Sequence, residues 1–148
     1  MTAPARTTTQ RVADTLHRLE HDVDAWVATA SPQGEPCMVP LSFLWDGATL
    51  LFSTAPGNPT ARNLAANGRA RVGVGPTRDV VLIECAVESL PAAGMAPDVA
   101  DAFATKAGFR PGPKYVYLRM TPLWVQAWRE VNELAERELP TPLTQPPA

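Results

Sequence analysis

At 148 residues, with 45% hydrophobic and 19% charged, the chain can bury a core of its own, which excludes an intrinsically disordered protein. A formal charge of −2 argues against a general nucleic-acid binder, and no apolar run is long enough to span a bilayer. The polar stretch Met1 to Gln10 lacks the apolar segment of a signal peptide, so a cytoplasmic protein without membrane contact is expected.

In chain order, Thr8 to Asp22 reads as an amphipathic helix with Val12, Leu16 and Leu19 on one face. A strand, Ala25 to Ala30, runs into the turn Ser31-Pro32-Gln33-Gly34. Cys37 to Trp45 is a second strand, closed by the hairpin signal Asp46-Gly47, and Thr49 to Thr54 is a third. A helix then spans Pro59 to Asn67, with Asn58 as N-cap, Pro59 at the first helical position and Gly68 as C-cap. Arg69 to Gly75 alternates as a strand, and Asp79 to Leu90 is a long one rich in Val, Leu and Ile. Ala96 to Ala107 is a helix closed by Gly108, and Tyr115 to Trp128 supplies one or two last strands broken near Pro122. Residues 1–139 are expected to form one domain, and the Pro-rich segment 140–148 a disordered tail. Six or seven antiparallel strands with inserted helices predict a mainly β fold, a closed or half-closed barrel.

The stretch from Gly47 to Arg78 holds Arg62, Arg69, Arg71 and Arg78 and not one Asp or Glu. Within it, Ser53-Thr54 ends a strand and Asn58-Pro59-Thr60-Ala61-Arg62-Asn63 opens a helix. A helix N-terminus offers free N–H groups and a partial positive charge, and Thr60 and Arg62 add a hydroxyl and a permanent cation. The arrangement suits one compact phosphate. No P-loop or Rossmann glycine pattern accompanies it, so nucleoside triphosphates and dinucleotides are not expected.

Other patterns have plainer readings. His17-Arg18-Leu19-Glu20-His21 spells H-x-x-E-H, a zinc-peptidase pattern, but these are the only histidines and a solvated helix face accounts for them, so no metal is expected. Cys37 and Cys85 form no close pair and read as reduced thiols in strands. Trp26, Trp45, Trp124 and Trp128 suit packing, with stacking on a planar ring as the alternative. No acid–base constellation names a catalytic residue.

The order Ala28-Thr29-Ala30-Ser31-Pro32-Gln33-Gly34, Val39-Pro40-Leu41-Ser42-Phe43, Leu51-Phe52-Ser53-Thr54, Thr60-Ala61-Arg62-Asn63-Leu64 and Arg69-Ala70-Arg71-Val72 resembles the pyridoxamine 5′-phosphate oxidase-like split-barrel superfamily over residues 10 to 130. The resemblance implies a six-stranded antiparallel split β-barrel, homodimeric, with FMN at the subunit interface and a small-molecule substrate. Carried over by position, Pro40, Leu41 and Ser42 would face the flavin ring. Ser53, Thr54, Thr60, Arg62 and Asn63 would hold the ribityl chain and phosphate, and Trp128 or Trp124 of the partner would approach the ring. The single cation in Ala61-Arg62-Asn63 and the missing C-terminal extension depart from the true oxidases, so pyridoxamine phosphate is not the expected substrate. Arg62-Asn63-Leu64 also resembles relatives that use the deazaflavin coenzyme F-420. Three readings stand: an FMN-dependent oxidoreductase, a deazaflavin-dependent reductase, and a non-catalytic flavin- or haem-binding protein.

Overall fold

The computed structural model describes residues 3–145. Helix α1 (Thr8–His21) opens with a capping box: Thr7 Oγ1 accepts from Gln10 N–H while the Gln10 side chain accepts from Thr7 N–H. Its apolar stripe of Val12, Leu16 and Leu19 enters the main core. Arg11 is buried with them, 2% exposed, and its guanidinium donates to the carbonyls of Ala127, Glu133 and Glu136. It ties the helix to the chain's C-terminal part.

Eight strands follow: β1 (Asp24–Ala30), β2 (Pro36–Ser42), β3 (Leu44–Trp45), β4 (Leu50–Thr54), β5 (Arg69–Val74), β6 (Val80–Pro91), β7 (Val116–Trp128) and β8 (Glu138–Leu139). They form one antiparallel sheet in the order β2-β1-β5-β6-β7-β4-β3, with β8 beside β7. The expected count of six corresponds to the strands of five or more residues; β3 and β8, of two residues each, make eight. The sheet does not close. Its ends curl back so that β2 packs near β4, and no ladder joins them. Of the inserted helices, α2 (Pro59–Asn67) bridges β4 and β5, and α3 (Pro97–Ala107) bridges β6 and β7.

Three expectations need correction. The strand expected from Cys37 to Trp45 is two strands with different partners: β2 pairs with β1 and β3 with β4. Between them Phe43 is fully buried and its N–H donates to Val23 O, so the chain changes sheet edge there. The last strand is not broken at Pro122. β7 runs unbroken for 13 residues, and a bulge between Glu84 and Cys85 of β6 leaves Leu123 as the extra residue. The bulge reverses the alternation: Leu118 and Met120 face the core before it, Val125 and Ala127 after it, and Trp124 and Trp128 stay on the outer side. Finally, Leu139 and Leu143 are buried in the main core, so the segment after Pro140 is anchored there. The rest of the expected tail, residues 146–148, lies outside the described residues. No helix among the described residues is long and apolar enough to cross a membrane.

An ionic clasp closes the fold where its first and last segments meet. The Glu133 carboxylate accepts from the backbone N–H and the guanidinium of Arg6 and from the N–H of Arg129. Arg6 also pairs with Asp14, and Arg18 and Arg129 reach Asp79. Gly75, at φ +86°, makes room for this cluster: a Cβ there would lie 2.9 Å from the Arg18 guanidinium.

Candidate cofactor cleft

Helix α2 begins where β4 ends, and the junction is built by hydrogen bonds. Asn58 occupies the N-cap position, but its side chain does not cap: Nδ2 donates to Thr54 Oγ1 at 2.8 Å. Pro59 has no N–H, and the first helical backbone bond runs from Arg62 N to Asn58 O. Among the described residues no side chain caps the first turn, so its leading N–H groups have no side-chain acceptor. Gly68, at φ +65°, closes the helix as expected. Asn63 Nδ2 donates to Thr29 Oγ1 and Asn67 Nδ2 to Ala30 O, which fixes α2 against β1.

Facing this helix is the turn between β1 and β2. Ser31 Oγ accepts from the N–H groups of Gln33 and Glu35, and Gly34 adopts φ +82° to complete it. Between turn and helix lies a cleft of about 640 Å³, a size that suits a small ligand. Gln33, Glu35, Pro36 and Cys37 line one wall, and Pro59, Arg62 and Asn63 the other. Cys37 Sγ lies 3.8 Å from the buried Thr60 Oγ1, which is outside the cleft lining.

The acid-free run of sequence is not acid-free in space. Arg69 and Arg71 both pair with Glu84 of β6, and Arg78 with Glu130. Arg62 has no carboxylate partner among the described residues. The charge able to meet an incoming anion is therefore concentrated on one side chain at the cleft, with Glu35 opposing it from the other wall.

Of the expected site residues only Arg62 and Asn63 line this cleft; the others lie outside its lining. Thr60 is buried beside Cys37. Ser53 is buried with its hydroxyl donating to Val116 O, and Thr54 is buried and engaged by Asn58. Pro40, Leu41 and Ser42 lie further along β2: Pro40 is exposed opposite Trp26, Leu41 packs towards the core, and Ser42 donates to Asp24. Trp124 and Trp128 are not in the cleft. They stand on the outer sheet face, under the guanidinium groups of Arg71 and Arg137 respectively. Cys37, Gln33 and Thr29 were not among the expected site residues; only the turn signal ahead of β2 pointed towards them. Buried Cys85 belongs to the core, where burial pushes its thiol up to about 12.

The family model of pyridoxamine 5′-phosphate oxidase matches residues 16–129, which takes in both walls of the cleft. The chain belongs to the pyridoxamine 5′-phosphate oxidase family. No curated protein sequence matches it. Solved structures share the fold at low identity. A pyridoxamine 5′-phosphate oxidase-related FMN-binding protein from Nostoc punctiforme is 17% identical, with a TM-score of 0.57 over 93% of this chain and 90% of that one. An FAD-binding protein from Mesorhizobium loti is 23% identical, with a TM-score of 0.59 over 76% and 90%. A structure named F420 reductase is 21% identical, with a TM-score of 0.62 over 74% and 93%. The fold is thus shared with proteins named for FMN, FAD and F420.

Proposed function

We propose that the chain is an FMN-dependent oxidoreductase acting on a small molecule, with the FMN phosphate held by Arg62 and the first turn of α2. The observation that carries this is Arg62 itself, a cation without a carboxylate partner among the described residues, beside a helix end that no described side chain caps. Bound flavin would supply the hydride or electron transfer, and the chain the anchoring and orientation. Asn63 would complete the polar wall, and β2 from Pro40 to Ser42 would support the ring. The same charge distribution favours FMN over the deazaflavin coenzyme. That coenzyme's long acidic tail calls for further free cations, and Arg69, Arg71 and Arg78 are held by Glu84 and Glu130.

Purified protein, denatured to release its ligand, is expected to yield FMN by mass, and apo-protein titrated with both cofactors is expected to bind FMN more tightly. A preference for the deazaflavin would overturn the choice of cofactor. Tight FMN binding without turnover of any substrate would move the chain to the non-catalytic class.

The reading includes a homodimer. The outer sheet face carries Trp26, 51% exposed, and Met38, 62% exposed, in cross-strand rows with Pro40, Leu82 and Trp124. A second copy would cover this face, where the Arg71–Glu84 pair lies among the apolar side chains, and bring its own Trp124 or Trp128 towards the flavin. Light scattering is expected to give twice the chain mass, and Trp26→Glu to shift it towards the monomer with weaker FMN binding. A wild-type monomer that binds FMN fully would refute the shared site.

A further inference from the structure

The H-x-x-E-H pattern of α1 has no part in the cleft. Its two imidazoles stand on successive turns with ring centroids 4.1 Å apart and planes inclined by 25°. His21 Nδ1 lies 2.8 Å from His17 O. A carbonyl oxygen only accepts, so Nδ1 carries the proton and Nε2 is left with a free lone pair. A ring nitrogen fixed in this way is the usual support of a metal-binding histidine.

The i,i+4 spacing puts both rings on one side of the helix. A ring nitrogen binds a metal in the plane of its own ring, and the stacked, near-parallel planes do not meet at one ion. His17 must therefore turn out of the stack, a rotamer change on an exposed helix face, while His21 keeps its Nδ1 bond.

We infer that His17 and His21 form a two-imidazole chelate for a borderline divalent transition cation such as Zn²⁺, Cu²⁺ or Ni²⁺, with water completing the coordination. Imidazole nitrogen suits these ions better than Mg²⁺ or Ca²⁺. The charged groups around the pair oppose one another: Asp14, Asp22 and Asp79 line the same cavity as Arg6, Arg18 and Arg129, so no net positive field repels the cation. The site is not a peptidase centre. Glu20 lines a different cleft, with Leu16, Trp45 and Asp46, and no third His, Cys, Asp or Glu joins the pair among the described residues. A bound ion would bridge one turn to the next and fasten the end of α1, where Leu16 and Leu19 enter the core. This inference does not depend on the flavin reading.

The test is calorimetric titration of the full chain with Zn²⁺ near neutral pH, beside His17→Gln and His21→Gln. Glutamine keeps the helix propensity, and far-UV circular dichroism checks the fold. One ion per chain is expected, with affinity at least tenfold lower in either variant and a Zn²⁺-dependent rise in Tm that both variants lose. Cu²⁺ electron paramagnetic resonance on the unaltered protein is expected to show hyperfine coupling from two imidazole nitrogens. Equal affinity in wild type and variants would place the ion elsewhere, Cys37 included, and overturn the site, as would absence of Zn²⁺ binding or coupling from fewer than two nitrogens.

Discussion

Replacing Arg62 with alanine is expected to weaken FMN binding by roughly ten- to a hundredfold. The variant would lose a charge-assisted hydrogen bond, worth about 1.5–3 kcal/mol, and each 1.4 kcal/mol is about a factor of ten. The effect should concentrate on this residue because Arg69, Arg71 and Arg78 are occupied by Glu84 and Glu130. Arg62→Lys keeps the charge but not the planar fork, so an intermediate loss is expected. Riboflavin, which has no phosphate, supplies the control: its affinity should be the same in wild type and Arg62→Ala. Fluorescence titration of the apo-protein with both ligands reads the difference. An equal loss for riboflavin and FMN would mean that Arg62 shapes the cleft and does not hold the phosphate. Raised salt should narrow the gap between wild type and variant, since Arg62 is exposed.

Arg6→Ala is expected to destabilise the fold by about 3 kcal/mol, the lower end of the range for removing one partner of a buried ion pair, because Arg6 is only partly buried. Glu133 is 3% exposed, and without Arg6 its charge would keep only backbone donors. Urea denaturation measures the loss, and a change below about 1 kcal/mol would show that the clasp is structurally idle. The same pair makes a pH prediction. The hydrogen bonds from the Arg6 guanidinium hold the Glu133 carboxyl down at about 2, against an ordinary 4.5. A carboxyl whose folded value is depressed binds protons more readily in the unfolded chain. Its contribution is therefore complete above about pH 4.5 and is lost as pH falls towards 2. The span corresponds to roughly 3 kcal/mol. Glu133→Gln should be less stable near neutral pH but should lose less further stability on acidification than the wild type.

Local signals carried much of this architecture. Pro59 and Gly68 bracket α2 because each has a backbone preference that acts within its own residue. The alternation of Ala70, Val72 and Val74 marks β5 because a strand with one buried face needs it. The elements that escaped depend on what lies across the sheet. Phe43 reads as one more apolar residue in a long strand, and only the different partners of β2 and β3 divide it. The Leu123 bulge has no local marker beyond Pro122, and it alone decides which face the last two tryptophans occupy. The cleft was half legible. Arg62 and Asn63 stand out by position, but the pairing of Arg69 and Arg71 with Glu84 joins residues 13 to 15 apart in sequence. The acid-free run therefore overstated the free charge.

Pro36 and Pro40 sit on β2, the terminal strand of the sheet path. Both belong to the alternate set of residues whose amides would point away from β1, because a proline on the inner set would interrupt the ladder that pairs Asp24 to Ala30 with Ser42 to Pro36. Two of the outward donors that an added strand would need are thus absent. The edge is poor at recruiting another chain by backbone pairing, the route that leads to fibrous assembly. The homodimer proposed above would therefore rest on side chains from the broad face of the sheet and not on edge pairing.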